Sequence, residues 1–216
     1  PLFRPVVARM VLIDRGRRAL VECAQAAGLA LVPLARRSPL CTTTLGLGEM
    51  IRAAVVAGVQ EVVVGLGGSA TNDAGLGMLS ALGWRFLDRR GRDLRPVGAS
   101  LIKVTRIERG PDLGPVRILA ACDVRNPLHG PRGAAYVYAP QKGATPHEVL
   151  QLDQGLARFA DVAADCLGRD LSRRPGAGAA GGLGFALQAF LGAEFRSGAD
   201  IAMEIARVPS RLARAD

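Results

Sequence analysis

The sequence contains very little lysine and few aromatic residues. Lys103 and Lys142 are its two lysines, so arginine carries almost all of the net charge of +9. The arginines fall in short, scattered clusters, and aromatic residues make up 4% of the chain. Proteins that read nucleic acids concentrate basic residues and interleave them with aromatics for stacking. We therefore expect no nucleic-acid partner and interpret the charge as a solvated basic surface, with attraction of anionic ligands as the alternative.

Long hydrophobic runs are also missing. Apolar stretches such as residues 53–57 and 62–64 are much shorter than the roughly 20 residues that a membrane-spanning helix needs. We therefore expect no membrane partner. The chain begins at Pro1, with neither an initiating methionine nor the apolar region of a signal peptide. This beginning suggests a fragment or a processed chain.

The four cysteines lack the close spacing of a metal or redox motif. Cys23, Cys41, Cys122 and Cys166 are far apart and form no C-x-x-C pair. Cys23 and Cys122 lie inside apolar, strand-like runs, where a thiol packs as a small hydrophobic group. Reduced thiols in the cytoplasm are favoured over disulfides or a metal site.

Strand-like and helix-like segments alternate along the chain, which has 216 residues of which 49% are hydrophobic. The predicted strands are residues 6–13, 19–23, 61–64, 84–87 and 117–122, and the predicted helices are 46–57, 73–82, 146–167 and 185–191. Turns at 14–16 and 88–92 indicate hairpins within this alternation, and no linker marks a boundary. We therefore predict a single α/β domain over residues 1–216, with a mixed β-sheet flanked by helices.

A glycine-rich segment at residues 65–77 lies between a predicted strand and a predicted helix. Its five glycines let backbone N–H groups approach an anion, and a following helix N-terminus adds donors and partial positive charge. Helix capping by Ser69 or Thr71, with Asp73 in the first turn, is the structural alternative. Five glycines together with Ser, Thr, Asn and Asp exceed what capping requires, so a ligand-binding loop is favoured.

The same loop partly matches a dinucleotide-binding fingerprint. Gly65-x-Gly67-x-x-Ala70 has the required spacing, and Asp88 lies near the expected distance downstream. An NAD-type oxidoreductase domain is therefore an alternative. Asp73 argues against it, because its carboxylate would lie near a pyrophosphate. The hairpin signal that begins at Asp88 also opposes a parallel βαβ unit.

Three motifs in order resemble the signature of type-one glycerate kinases. The first is Gly-Leu-Gly-Gly-Ser-Ala-Thr-Asn-Asp at 65–73 with Ala-Leu-Gly at 81–83. The second runs from Ala-Cys-Asp-Val-Arg-Asn-Pro-Leu at 121–128 to Pro-Gln-Lys-Gly-Ala-Thr at 140–145. The third is Gly-Ala-Ala-Gly-Gly-Leu-Gly at 178–184. With weaker matches elsewhere, the resemblance covers nearly the whole chain.

This resemblance implies transfer of the γ-phosphoryl group of ATP to D-glycerate, most often giving 2-phosphoglycerate. It implies ATP and Mg²⁺ as cofactors and D-glycerate as the small-molecule partner, and it leaves the oligomeric state and the choice of 2- or 3-phosphate open. The fold it implies is mainly the inserted domain of a two-domain α/β kinase. Phosphoryl transfer needs phosphate donors, a cation, a divalent metal and a carboxylate that orients the attacking hydroxyl.

The resemblance also implies site residues. Asp73 and Asp123 are the candidates for Mg²⁺ ligand and base, in an unassigned order, and Lys142 is the cation. The candidate substrate- and phosphate-binding residues are Gly67, Gly68, Ser69, Thr71, Asn72, Asn126, Gln141, Gly181 and Gly182.

Several of these residues have a structural alternative. Asp123 could be a strand-end residue before a turn at Asn126, and Lys142 could be a solvated surface lysine. Gly181 and Gly182 could form a plain helix-start turn instead of a second anion site.

The chain also departs from the family pattern. Arg125 stands where family members often have an acidic or small residue. Ala74 stands where they often have a glycine. Family members are longer, with an Asp-Ser-Phe-Lys loop before this region and a Gly-Glu-Gly loop after it. We therefore expect half of an active-site cleft and weak or absent turnover by the chain alone. A non-catalytic domain left by truncation is a further alternative.

Overall fold

A five-stranded mixed sheet forms the centre of the computed structural model, which describes residues 1–208. Its strands have the order β1-β2-β3-β6-β7, and β1 alone runs antiparallel to its neighbour. A separate antiparallel pair is formed by β4 and β5. The strand bounds are β1 Val11–Ile13, β2 Arg18–Glu22, β3 Glu61–Gly65, β4 Arg85–Leu87, β5 Arg106–Glu108, β6 Arg117–Ala121 and β7 Glu194–Arg196.

Helices flank this sheet, so the predicted mixed α/β fold is confirmed. The α-helices are α1 Cys23–Ala27, α2 Leu45–Val56, α3 Leu76–Ala81, α4 Ala134–Tyr138, α5 Pro146–Leu167, α6 Ala179–Phe190 and α7 Gly198–Ile205. Short 3₁₀ helices lie at Leu29–Leu31, Leu34–Arg36, Gly98–Lys103 and Pro140–Lys142. No helix among residues 1–208 is long and apolar enough to cross a membrane.

The central strands are buried on both faces. Val62 and Val64 of β3 face the main core, whereas Val63 between them belongs to a small cluster on the opposite face. This alternation follows from the two-residue period of a strand. Ile201 of α7 covers Val63, and Phe159 of α5 lies at the centre of the aromatic contacts on the main side. Continuous valines fit a parallel strand that is covered on both sides.

Several element bounds differ from the sequence predictions. The first predicted strand, 6–13, contains only the three residues of β1. The helix predicted from Asp73 begins at Leu76, because Ala74 and Gly75 have left-handed φ angles of 49° and 74°. The strand predicted at 84–87 is β4, which lies outside the main sheet.

The N-terminus of α5 has the predicted capping box. The Thr145 hydroxyl accepts the Glu148 N–H at 3.3 Å, and the Glu148 carboxylate accepts the Thr145 N–H at 2.8 Å. Thr145→Ala removes one of these bonds, so we expect it to lower the free energy of unfolding by about 1 kcal/mol. Urea unfolding measures this loss. Thr145→Ser keeps the hydroxyl and should retain most of the stability; equal losses in both variants would contradict a role for this hydrogen bond.

Candidate functional site

A cavity of about 390 Å³ lies at the carboxyl ends of β3 and β6. Ligands of open α/β sheets commonly bind beyond this edge of the strands. The first two family-like motifs meet here, together with the start of α6. The lining residues are Leu29, Leu66, Gly67, Gly68, Ser69, Ala121, Cys122, Asp123, Val124, Tyr138, Gln141, Lys142, Ala179 and Ala180.

The first glycine loop forms one wall of this cavity. Gly67 and Gly68 are exposed, and a Cβ on Gly67 would meet no atom within 4 Å, so this backbone is open to an approaching ligand. The loop is fixed from behind, where Leu29 N–H donates to the Gly68 carbonyl at 2.8 Å and Ala70 N–H donates to the Ala27 carbonyl at 2.8 Å. The expected donor groups of Gly67 and Gly68 are therefore accessible.

Lys142 lies at the back of the cavity. Its side chain is only 2% exposed, and its Nζ donates to the Ser69 hydroxyl at 2.9 Å and to the Thr71 carbonyl at 2.6 Å. Both acceptors belong to the glycine loop, so the lysine joins the second motif to the first. Lys142 is therefore not a solvated surface lysine. Burial lowers its pKa to about 8.

This lowered pKa predicts a pH-dependent stability. Between pH about 8 and 10.5 the unfolded chain keeps the lysine proton that the folded chain has lost. The free energy of unfolding of wild type should therefore rise with pH relative to that of Lys142→Met, by up to about 3 kcal/mol. Urea unfolding of both proteins at several pH values measures the difference. Burial raises the pKa of nearby Cys23 to about 12, and Lys142 opposes that shift electrostatically, so both proteins are compared in a Cys23→Ala background that removes the thiol titration. A difference that does not change with pH would contradict the prediction.

Asp73 does not occupy the position expected of a metal ligand or base. It is completely buried and does not line the cavity. Its carboxylate accepts the N–H and hydroxyl of Thr44, both at 2.8 Å, and the N–H groups of Gly75 and Gly77 at 3.2 Å each. Burial raises the pKa of Asp73, and these hydrogen bonds oppose that shift. Asp73 thus joins the glycine loop to the start of α2, and its expected role as metal ligand or base stays a prediction.

Asp123, by contrast, is exposed and lines the cavity two residues after β6 ends. Its Oδ1 accepts the Gly198 N–H at 3.1 Å, and its Oδ2 has no hydrogen-bond partner among residues 1–208. No group of three or more metal-ligating side chains occurs in this described part of the chain. Magnesium commonly binds through one or two carboxylates together with substrate phosphates. A single cavity carboxylate fits that mode of binding.

Thr71 and Asn72 belong to the glycine loop, but neither residue lines the cavity. Both are completely buried. The Thr71 hydroxyl and both polar atoms of the Asn72 amide have no hydrogen-bond partner within the described residues. Buried polar groups normally have partners, so these two side chains are the polar groups of the loop that its own hydrogen bonds leave unsatisfied.

Asn126 supports the cavity from outside. Its Oδ1 accepts the Tyr138 hydroxyl at 2.7 Å, and its Nδ2 donates to the Arg132 carbonyl at 2.8 Å. Tyr138 lines the cavity, as does Gln141. Sequence reasoning assigned Asn126 to the ligand and missed Tyr138. The available signal for Tyr138 was its position four residues before Lys142, in the same motif.

The second glycine loop packs against the first. Gly181 and Gly182 have φ angles of 73° and 89° and interrupt the helical geometry of α6. A Cβ on Gly181 would overlap the Thr71 carbonyl oxygen, and one on Gly182 would lie 2.9 Å from Cα of Ala74. These glycines permit close backbone packing, which gives no support to a second anion site there. Ala179 and Ala180, just before them, line the cavity instead.

The structure does not support the alternative of an NAD-type dinucleotide-binding domain. Asp88 follows β4, which within residues 1–208 pairs with β5 and takes no part in the parallel sheet. Its carboxylate accepts the N–H groups of Arg90 and Arg92 at 2.8 and 3.0 Å, as a turn residue does. It therefore does not close a βαβ unit next to the glycine loop.

The fold and cavity define an α/β protein with a site of small-metabolite size at the carboxyl edge of its parallel strands. The model of the glycerate kinase family matches residues 1–216. The chain therefore belongs to the glycerate kinase family, as its three motifs indicated.

Individual relatives agree with this assignment. A glycerate kinase of Bacillus subtilis is 47% identical over 219 residues, which cover 100% of this chain and 57% of the relative. The glycerate 2-kinase of Escherichia coli K12 is 44% identical over 93% of this chain and 54% of the relative. A crystal structure assigned as glycerate kinase 2 from Salmonella typhimurium LT2 superposes with a TM-score of 0.96 at 46% identity, over 100% of this chain and 59% of that one. The chain thus spans a little more than half the length of these relatives.

Proposed function

We propose that the protein containing this chain transfers the γ-phosphoryl group of ATP to D-glycerate, and that this chain supplies the acceptor side of the active site. The observation that carries the proposal is the cavity itself. It places the open backbone of Gly67 and Gly68, the buried ammonium of Lys142 and the exposed carboxylate of Asp123 around one space of about 390 Å³. Anion donors, a cation for an acidic acceptor and a carboxylate that orients the attacking hydroxyl are groups that the acceptor side of such a phosphoryl-transfer site requires.

The reaction joins a hydroxyl oxygen of glycerate to the γ-phosphorus and breaks the bond between that phosphorus and the β,γ-bridging oxygen, releasing ADP. Asp123 orients the attacking hydroxyl and accepts its proton. The N–H groups of Gly67 and Gly68, the Ser69 hydroxyl and Lys142 stabilise negative charge in the cavity. Gln141 adds a polar side chain to the same wall.

Asp123 is also the residue that would hold Mg²⁺, because it is the one carboxylate lining the cavity among the described residues. When bound with ATP, the ion neutralises phosphate charge. Asp73 takes neither role in this proposal, since its buried carboxylate is already bound to four protein donors.

The relatives are nearly twice as long as this chain, so their activity belongs to a longer protein. We propose 2-phosphoglycerate as the product and expect the 216-residue chain alone to turn over weakly or not at all. Loss of the positioning that a second half of the cleft provides can cost roughly 7–11 kcal/mol of barrier lowering. Cytoplasmic location, expected from the scattered cysteines, stays a prediction.

The test is a kinase assay with the full-length gene product. ATP and D-glycerate should yield ADP and a phosphoglycerate whose position is assigned by phosphorus and proton NMR, and activity should need Mg²⁺. Parallel wells with NAD and hydroxy acids should show no reduction of the nucleotide. Reduction of NAD, or no glycerate-dependent ADP, would contradict the proposal. Robust turnover by the 216-residue chain would overturn only the expectation that it is incomplete.

A further inference from the structure

We propose that the acceptor binds with its carboxylate at Lys142 and its reacting hydroxyl at Asp123, so that Lys142 is the residue that discriminates the acid from neutral polyols. This orientation rests on the proposed function and deepens it. It follows from the opposite character of the two ends of the cavity, which has a buried cation at its back and an exposed carboxylate at its mouth.

The back of the cavity holds a cation without a direct anionic partner. Lys142 Nζ donates to two neutral oxygens, the Ser69 hydroxyl and the Thr71 carbonyl, and forms no ion pair among residues 1–208. Asp73 lies near enough to act on Lys142 electrostatically but bonds to other groups. A buried charge without a paired charge is unfavourable. An anionic ligand group at this position would remove that penalty.

The single positive charge of Lys142, at the back of the cavity, matches a ligand group with one negative charge. Lys142 is the one cationic side chain among the cavity-lining residues. A carboxylate brings a single negative charge to it. The terminal phosphate of ATP spreads a larger charge over three oxygens in the transition state and usually meets several cationic or metal partners.

The mouth is the end that a large donor can reach. Asp123, Gly67 and Gly68 are exposed, whereas Lys142 is buried and its Nζ donates to the Ser69 hydroxyl. A three-carbon acid fits inside the cavity, while a nucleoside triphosphate must present its γ-phosphate from the open side. The hydroxyl next to Asp123 then faces the incoming phosphorus, and the carboxylate faces away from it.

This orientation predicts the selectivity. Glycerol has the hydroxyls of glycerate but no carboxylate, so it would leave Lys142 without an anion. Sites built to bind a polar substrate group reject analogues lacking it by about 10⁴-fold. The kcat/KM ratio of D-glycerate to glycerol should therefore be at least about 10³ in wild type, and it should fall to about 10 in Lys142→Met.

The experiment is steady-state kinetics of the full-length enzyme with each acceptor and with ATP. Lys142→Met should raise the KM for D-glycerate about 100-fold and leave the KM for ATP within about twofold. Lys103→Met is the matched control, because Lys103 is exposed and lies outside the cavity. It should match wild type. A raised KM for ATP with an unchanged KM for glycerate would overturn the orientation and place the γ-phosphate at Lys142.

Ser69→Ala keeps the test decisive if Lys142→Met does not fold. It removes one partner of the ammonium and leaves the charge, and it should raise the KM for glycerate about fivefold with the KM for ATP unchanged. An effect on the KM for ATP alone would again overturn the orientation. A wild-type enzyme that phosphorylates no glycerate would be a failure of the proposed function, and it would be recognised before any variant is compared.

Discussion

Replacing Asp123 with asparagine should lower kcat of the full-length enzyme by about 10³-fold. The amide has nearly the same shape but cannot accept the proton of the attacking hydroxyl. It is also a poor ligand for Mg²⁺ compared with a carboxylate. The amide keeps an oxygen that can accept the Gly198 N–H, so the link between this loop and α7 should survive.

Coupled assays of ADP release measure the loss of activity, and thermal melting checks the fold. Asp161→Asn is the matched control, because Asp161 is an exposed carboxylate of α5 outside the cavity. It should retain wild-type kcat. An Asp123→Asn enzyme with kcat within about threefold of wild type would show that another group activates the hydroxyl.

Gly181→Ala should lower the free energy of unfolding by roughly 3–5 kcal/mol. The added Cβ would overlap the Thr71 carbonyl oxygen and lie 2.7 Å from Cα of Asn72. Neither group can yield without moving the first glycine loop, since the Thr71 carbonyl also accepts Lys142 Nζ. The loop should therefore lose both stability and its anion-binding geometry.

Gly91→Ala is the control that distinguishes the steric clash at Gly181 from the strain of a left-handed alanine. Gly91 has the same φ angle as Gly181, 73°, but a Cβ there would meet no atom within 4 Å. Its substitution should cost only about 1 kcal/mol, which is the penalty of a left-handed alanine. Urea unfolding measures both variants. Equal losses would show that the φ angle alone explains the effect and that the two glycine loops do not need to pack so closely.

Features that depend on neighbouring residues were predictable from the sequence. The Thr145 capping box, the helix α2 and the strand β3 each follow from signals within a few residues. Parallel pairing was also foreseeable, because buried valine runs alternate with helices. The left-handed backbone conformation just before α3 was not predictable, since alanine at position 74 adopts a positive φ only under tertiary constraint.

The site was predictable in part for a similar reason. Lys142 was notable because it is one of the two lysines in the chain and lies next to a glycine in a loop. The structure places it against Ser69. The position of Asp73 depends on Thr44, which is 29 residues away in the sequence. The packing of Gly181 against Thr71 spans a still longer separation. Such contacts have no local pattern, so motifs alone could not show which carboxylate lies in the cavity.

The central claim is that this chain holds the acceptor, and thermal melting of the chain with separate ligands tests it most directly. At a hundredfold excess over the dissociation constant, a ligand stabilises the fold by about 2.7 kcal/mol. We predict a raised melting temperature with D-glycerate and with 2-phosphoglycerate, a smaller shift in Lys142→Met, and none with NAD. An unchanged melting temperature with both acids, or a shift with NAD alone, would contradict the claim.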